Sequence, residues 1–257
     1  MTDTLHRTAR TWLELSELWD GLFNFLIVGE CVPFSFEMPS VDQVIDQIRK
    51  DEDARIVPGT KGDRLILTGN AEEFRKVPID ETLDMQFQMS HFKLQNFYAP
   101  GQLFYNFEQE VMDPWREALS KAGFTWTRCY PIIFISGPGA ATNYHMDKSH
   151  VIAWQRHGTK RFIGVKDPDK WAPFEERMLP GGEMVKPPGI KEEDTRPYEM
   201  GPGDVLWNTL LTPHWVEATD HVAYSINLSH GGLRLNGELC RNEQELVDHN
   251  AAQKEKK

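Results

Sequence analysis

Apolar and polar residues alternate in the second half of the chain with the two-residue period of a β-strand. In residues 222–228 one predicted face is apolar, and the opposite face carries small and polar side chains. The apolar face would comprise Val222, Tyr224, Ile226 and Leu228, and the polar face Ala223, Ser225 and Asn227. Because successive strand residues point to opposite sides, this strand would divide a core from a cavity wall.

Further strands are predicted before this one. Residues 130–135 form an apolar run typical of a strand. Residues 151–165 predict two strands joined by a tight turn at residues 157–159. Lys160 would therefore begin the second strand of this pair, next to the turn.

The first half of the chain shows mainly the period of amphipathic helices. Residues 11–25 and 102–121 each carry an apolar stripe at helical spacing. Ser40 and Gln43 form a capping box, which predicts a helix that begins after Ser40. Residues 64–68 predict a short strand. These helices are expected to pack against the β-structure that follows.

Composition indicates an ordinary soluble protein. The 257 residues suit one domain, and the formal net charge of −11 argues against nucleic acid or an anionic membrane as partner. The three cysteines are widely spaced, which predicts neither a disulfide framework nor a cysteine-based zinc site. No signal peptide or membrane span is apparent, so a cytoplasmic location is expected. The oligomeric state stays open.

Two histidines and an aspartate carry the candidate chemistry. His145 and Asp147 are two residues apart, so on an extended segment both side chains would face the same metal. His214, which follows a Gly-Pro-Gly-Asp turn at residues 201–204, is the candidate third ligand. Two imidazoles and one carboxylate are the usual ligands of a non-haem Fe(II) oxygenase. A His-x-acid pair alone is expected by chance in a chain with nine histidines and 39 acidic residues.

The surroundings of this motif make it specific. Residues 130–232 resemble the JmjC-type, cupin-like 2-oxoglutarate oxygenases, in particular the asparagine-hydroxylase branch. The family pattern is a Thr three residues before His-x-Asp, a Gln ten after the first His, Gly-x-Lys, Gly-Pro-Gly-Asp-Val-Leu and a later His. The matching residues are Thr142, His145, Asp147, Gln155, Gly158, Lys160, 201–206 and His214.

The resemblance implies a mainly β fold, a double-stranded β-helix of jelly-roll type with flanking N-terminal helices. The implied Fe(II) ligands, and hence catalytic residues, are His145, Asp147 and His214. Lys160 would pair with the distal carboxylate of 2-oxoglutarate, and Thr142 would hydrogen-bond it. A doubly charged keto acid in a narrow barrel needs such a cation, because a buried unpaired carboxylate is costly. Asn227 is a further candidate for this pocket.

The chain departs from the family pattern at three places. Val151 stands where the family often has Asn, and Pro213 stands where it often has an aromatic residue. The Ile-Pro that commonly follows the Gly-Asp strand is here Asn208-Thr209. Gln155, Trp154 and Trp207 are candidate substrate contacts.

The predicted organisation has three parts. Residues 1–125 would be a helical and mixed lead-in, 126–235 the JmjC-like catalytic core, and 236–257 a C-terminal helix and tail. Residues 178–200 predict a long loop between the two halves of the metal motif. Long loops in compact domains are often functional, so this one would be either a lid over the substrate or a surface insertion.

The predicted function is an Fe(II)- and 2-oxoglutarate-dependent dioxygenase that hydroxylates an unactivated C–H bond of a small molecule or peptide side chain. Succinate and CO₂ would be released, and desaturation or ring closure stay open. One alternative is a metal-dependent cupin that does not use 2-oxoglutarate, such as an O₂-dependent cleavage enzyme or an isomerase. Another is a non-catalytic, ligand-sensing cupin. Packing or surface roles are expected for His6, His91, His157, His221 and His249.

Overall fold

The structure is a computed structural model that describes residues 7–58, 71–179 and 189–255. Its strands are β1 Thr8–Ala9, β2 Phe25–Ile27, β3 Arg55–Pro58, β4 Phe87–His91, β5 Phe124–Thr125, β6 Arg128–Ser136, β7 His150–His157, β8 Lys160–Val165, β9 Thr195–Met200, β10 Val205–Asn208, β11 His214–Ala218, β12 Ala223–Gly231, β13 Arg234–Leu235 and β14 Glu238–Leu239.

Helices flank these strands. The α-helices are α1 Trp12–Leu18, α2 Val41–Lys50, α3 Ala71–Phe74, α4 Ile79–Leu83, α5 Asp113–Lys121, α6 Pro168–Trp171, α7 Phe174–Arg177 and α8 Arg241–Glu255. Single 3₁₀ turns lie at Gly29–Cys31, Leu94–Phe97 and Glu192–Asp194, and a π-helical turn lies at Glu108–Met112. None of the helices in the described ranges is long and apolar enough to cross a membrane.

Two sheets form the body of the fold. The larger has eight strands in the order β1-β2-β10-β7-β12-β6-β4-β3, and the smaller has the order β11-β8-β9. The chain passes from one sheet to the other after β7, β9, β10 and β11, so both walls are built from the same stretch of chain. This arrangement confirms the predicted mainly β, double-stranded β-helix with flanking helices. The lead-in contributes more than helices, since β1 to β4 all join the larger sheet.

Strand β12 divides core from cavity as its alternation predicts. It lies between β7 and β6, and it pairs with both along most of its length. Tyr224, Ile226 and Leu228 lie in the main hydrophobic core. Ser225, Asn227 and Ser229 line a cavity on the opposite face. The core itself fills the space between this outer face of the sheet and helices α1, α2 and α5.

The helical predictions hold in part. Helix α2 begins directly after Ser40, and Gln43 Oε1 accepts a hydrogen bond from the Ser40 amide at 3.3 Å. The helix predicted over residues 102–121 begins later, because Asn106 has a φ of 67° and so breaks the regular helix. The helix predicted over residues 11–25 ends at Leu18.

The long loop predicted at residues 178–200 is shorter than expected. Residues 195–200 form β9 and pair with β8, so this part is a strand of the smaller sheet and not a lid. Residues 180–188 of the predicted loop lie outside the described residues, as does the strand predicted at 64–68. The predicted polar tail is helical as far as Glu255.

Candidate metal and cofactor site

Backbone hydrogen bonds between two segments bring His145, Asp147 and His214 together. The segment before β7 runs antiparallel to β11, and His145 and His214 exchange two backbone hydrogen bonds of 2.9 Å. The backbone oxygen of Asp147 accepts a further bond from the Leu211 amide at 2.9 Å. One ligand atom from each of the three side chains lies within 4.8 Å of the others. The structure therefore places these residues as a metal site requires.

The hydrogen bonds of the two imidazoles leave the correct nitrogen free. His145 Nδ1 lies 2.7 Å from the carbonyl oxygen of Asn143, and His214 Nδ1 lies 2.9 Å from that of Thr212. A carbonyl oxygen only accepts, so each Nδ1 carries the hydrogen. The unprotonated Nε2 of each neutral ring is then available to a metal, and this pairing of Nδ1 with a backbone carbonyl is typical of metal-bound histidines.

The environment favours a neutral His214 imidazole beside a carboxylate. Burial and the neighbouring His145 hold the pKa of His214 well below its usual value. Burial raises the pKa of Asp147, and His145 and the amide of Asn208 act against that shift. Nδ2 of Asn208 donates to Asp147 Oδ2 at 2.7 Å. The ring of Phe162 stacks on His214, with centroids 4.7 Å apart and planes at 14°. A divalent cation bound to this carboxylate would offset the free-energy cost of burying its charge.

All three ligand candidates line a cavity of about 460 Å³ between the two sheets. Four other predicted site residues line the same cavity. They are Thr142, Gln155, Lys160 and Asn227. The structure thus brings together seven of the nine predicted site residues, drawn from both sheets and from the segment before β7.

Lys160 is a buried cation without a counter-anion. Only 5% of the residue is exposed, and its Nζ donates to the carbonyl oxygen of Phe134 at 2.9 Å. Within the described ranges, no carboxylate lies within 4 Å of this Nζ. Burial lowers the pKa of Lys160 to about 7. A buried ammonium is stabilised when an anion pairs with it, so the cavity wall at Lys160 fits a ligand carboxylate.

Two other polar residues of the cavity wall have unused hydrogen-bonding capacity. Thr142 Oγ1 accepts from the Val216 amide at 2.8 Å, which leaves its own hydroxyl hydrogen to donate. Oδ1 of Asn227 is buried and has no hydrogen-bond partner. Gln155 is already committed, since its Nε2 donates to the carbonyl oxygens of His157 and Gly158 at 2.7 and 3.0 Å. Thr142 and Asn227 therefore suit a bound ligand better than Gln155 does.

Trp154 and Trp207, predicted as substrate contacts, lie elsewhere. Both are buried in the core on the opposite face of the larger sheet, where Trp154 packs edge-to-face on Phe34 and Trp207 stacks on Phe25. The alternation of each strand explains the correction, because Gln155 and Asn208 are the neighbours that face the cavity. The same alternation could have identified Asn208 from sequence.

A second group of potential ligands lies in the core. His150, Cys240 and Glu243 also place one ligand atom each within 4.8 Å of the others. Here, however, Nδ1 of His150 faces two donors, the Trp207 indole at 3.3 Å and the Leu210 amide at 3.5 Å. The hydrogen of the neutral ring is therefore on Nε2, the nitrogen that faces Cys240 Sγ at 3.4 Å.

Comparison with known proteins supports the fold. No protein-family model matches the chain, and a comparison with curated proteins gives no significant match. A crystal structure of Escherichia coli YcfD matches with 19% identity and a TM-score of 0.55, over 95% of this chain and 58% of that chain. The ribosomal oxygenase YcfD in complex with cobalt and 2-oxoglutarate matches with 17% identity and a TM-score of 0.53, over 97% and 58%.

This chain therefore spans less than two thirds of the length of the YcfD structures. At these identities the likeness shows the fold, which is the β-helix described above. The chemistry of the present site depends on the residues of this chain.

Proposed function

We propose that this protein is an Fe(II)- and 2-oxoglutarate-dependent dioxygenase that hydroxylates a C–H bond and releases succinate and CO₂. The observation that carries the proposal is the shared cavity. The Nε2 atoms of two imidazoles and the carboxylate of Asp147 lie close together in the cavity wall. The buried Lys160, which has no carboxylate partner among the described residues, lines the same cavity. The fold shared with YcfD, which is described in complex with cobalt and 2-oxoglutarate, supports the proposal.

The residues of the chain would divide the work. His145, Asp147 and His214 hold the iron and leave coordination positions open for the keto acid and O₂. The bound iron and keto acid supply the oxidising chemistry. The protein would orient both, since the residues that line the cavity come from two facing sheets.

Lys160 would anchor the keto acid. Its ammonium is stabilised when it pairs with the distal carboxylate, because both charges are otherwise buried without a partner. Thr142 would donate its hydroxyl hydrogen to the same carboxylate. The amide of Asn227, on β12 of the larger sheet, would add a further polar group to the cavity wall.

The charges of the cavity wall favour a neutral or anionic substrate group. Among the described residues that line the cavity, the charged ones are Arg55, Lys160 and Asp147. Asp147 is committed to the metal, so no other carboxylate in this wall can pair with a cationic substrate. The guanidinium of Arg55 lies over the ring of Phe92, 4.6 Å from its centroid, on the edge strand β3.

A peptide side chain is the substrate class that the comparisons favour, because the matching structures are of an oxygenase described as ribosomal. We therefore propose a peptide substrate whose target residue has no positive charge. A screen of 2-oxoglutarate consumption with peptides that differ only in an Asn, Asp or Lys target would test this. Turnover confined to the Lys peptide would refute it.

The cofactor assignment can be tested without a substrate. We would titrate Fe(II) and 2-oxoglutarate anaerobically and record the visible metal-to-ligand charge-transfer band. The wild type and a Lys170→Ala control, in which an exposed lysine is removed, should both form the band. Asp147→Ala should lose it, and Lys160→Ala should need far more 2-oxoglutarate. Bound iron without a band in the wild type would favour a cupin that does not use 2-oxoglutarate.

A further inference from the structure

Asn208 lies against two of the three candidate ligands. Its Nδ2 is 2.7 Å from Asp147 Oδ2 and 3.5 Å from His214 Nε2. The residue is 1% exposed and lines the cavity. It lies at the end of β10 in the larger sheet, whereas His214 begins β11 in the smaller one. Asn208 therefore reaches the metal site from the opposite wall.

The residues on both sides hold Asn208 in place. Trp207 stacks on Phe25 with centroids 5.8 Å apart and planes at 10°, on the core face of the sheet. Thr209 Oγ1 donates to the carbonyl oxygen of Phe23 at 3.0 Å. These contacts fix the backbone of Asn208, so its short side chain has little freedom to move away from Asp147.

The amide of Asn208 is only half satisfied. Nδ2 donates to Asp147, but Oδ1 is buried and has no hydrogen-bond partner. Most buried polar atoms in proteins are paired, and an unpaired one calls for an explanation. The Ile-Pro family pattern offers no such group at this position, so the contact is a feature of this chain.

We propose that Asn208 is a positioning residue for the metal ligand Asp147. Its N–H donates to Oδ2, the carboxylate oxygen that lies 3.8 Å from His214 Nε2, and so would hold the Asp147 carboxylate beside the imidazoles that share the metal site. Oδ1 of Asn208, which has no partner among the described residues, would accept a hydrogen bond from a group bound in the cavity. The inference rests on the metal site of the proposed function.

The first test measures Co(II) affinity without 2-oxoglutarate, by the absorption of the bound ion. Asn208→Ile should weaken binding by about 10–100-fold, the usual cost of removing a partner that orients a ligand. Asn208→Ser, a smaller replacement, is a second variant to be measured if Asn208→Ile does not fold. Asn24→Leu is a matched control, since Asn24 is also buried with an unpaired amide but does not line the cavity. It should bind Co(II) as the wild type does.

A double-mutant cycle separates positioning from direct coordination. If Asn208 acts through Asp147, then Asn208→Ile should have no further effect on Co(II) affinity in an Asp147→Ala background. Additive losses would show that the amide binds the metal itself and would overturn the inference. Unchanged affinity in Asn208→Ile would also overturn it. A wild-type protein that binds no Co(II) would instead refute the proposed function, on which the inference depends.

Discussion

A pair of histidines lies on each side of the larger sheet, and the pairs differ in what their ring nitrogens contact. On the cavity side, His145 and His214 lie opposite each other and give their Nδ1 hydrogens to backbone carbonyls. On the core side, His150 and His230 are also direct partners across two strands. Burial lowers the pKa of both core histidines to about 3, and it also holds the pKa of His214 well below its usual value. Charge state therefore does not distinguish His214 from the core histidines.

Hydrogen-bond donors do distinguish them. The Trp115 indole donates to His230 Nε2 at 2.7 Å, and the Trp207 indole approaches His150 Nδ1 at 3.3 Å. An indole N–H can only donate, so it uses the lone pair that a metal would need. Among the described residues, the cavity pair meets one donor at Nε2, the Asn208 amide 3.5 Å from His214, and this amide donates at the shorter distance of 2.7 Å to Asp147. Proximity of histidines is thus insufficient for a metal site, and free lone pairs that face a common space are required.

The largest expected effect tests this contrast directly. Asp147→Ala should weaken Co(II) or Fe(II) binding by more than about 100-fold, since even a partner of a ligand contributes about 10–100-fold. Cys240→Ser, which removes a member of the core group, should leave one metal bound per chain. Metal titration with elemental analysis measures both. Loss of a metal ion from the Cys240→Ser protein would contradict the contrast.

The second effect concerns the anion site. Lys160→Ala should raise the Kd for 2-oxoglutarate by roughly 30-fold or more, because loss of one partner of a buried charge pair costs about 2–5 kcal/mol. The charge-transfer band measures the affinity at saturating Fe(II). An equal Kd in Lys160→Ala and the wild type would show that the keto acid binds elsewhere.

A third effect is the pH dependence of the same Kd. Without an anion, the pKa of Lys160 is about 7, and a bound carboxylate would raise it. Binding therefore requires proton uptake above pH 7, and the Kd should rise by up to about tenfold per pH unit there. Below pH 7 the ammonium is already formed and the dependence should flatten. Lys160→Arg, which stays charged, should lose the slope. A constant wild-type Kd from pH 6.5 to 9 would exclude this linkage.

The smallest effect concerns the core pair. Trp115→Phe removes the donor to His230 Nε2 and leaves that buried acceptor unsatisfied, which costs about 1–3 kcal/mol. Each kcal/mol should lower Tm by about 2–4 °C for a chain of this size. Metal affinity should not change, because Trp115 lies in the core and not in the cavity wall. Trp126→Phe, at a partly buried position, serves as the control. A loss of metal affinity in Trp115→Phe would contradict this prediction, because it would show that the core side of the larger sheet affects metal binding on the cavity side.

Much of the site was predictable because its spacing is local. His145 and Asp147 share a side by their two-residue separation, and the alternation in β12 places Asn227 on the cavity wall. Trp154 and Trp207 were misplaced although the same alternation applied, since Gln155 and Asn208 are the cavity-facing neighbours. The helix at residues 102–121 was placed too early because a single left-handed residue, Asn106, breaks an otherwise helical pattern.

Periodicity in the sequence was enough to predict strands β6, β7, β8 and β12 and the two faces of β12, and residue order was enough for the motif that carries the family resemblance. Which distant groups meet depends on the packing of the sheets. Asn208 faces Asp147 across 61 residues of chain, and Lys160 is buried against the carbonyl of Phe134 without an anion. The contacts that distinguish the two histidine pairs likewise come from elements on opposite sides of the larger sheet, a relation that no local pattern encodes.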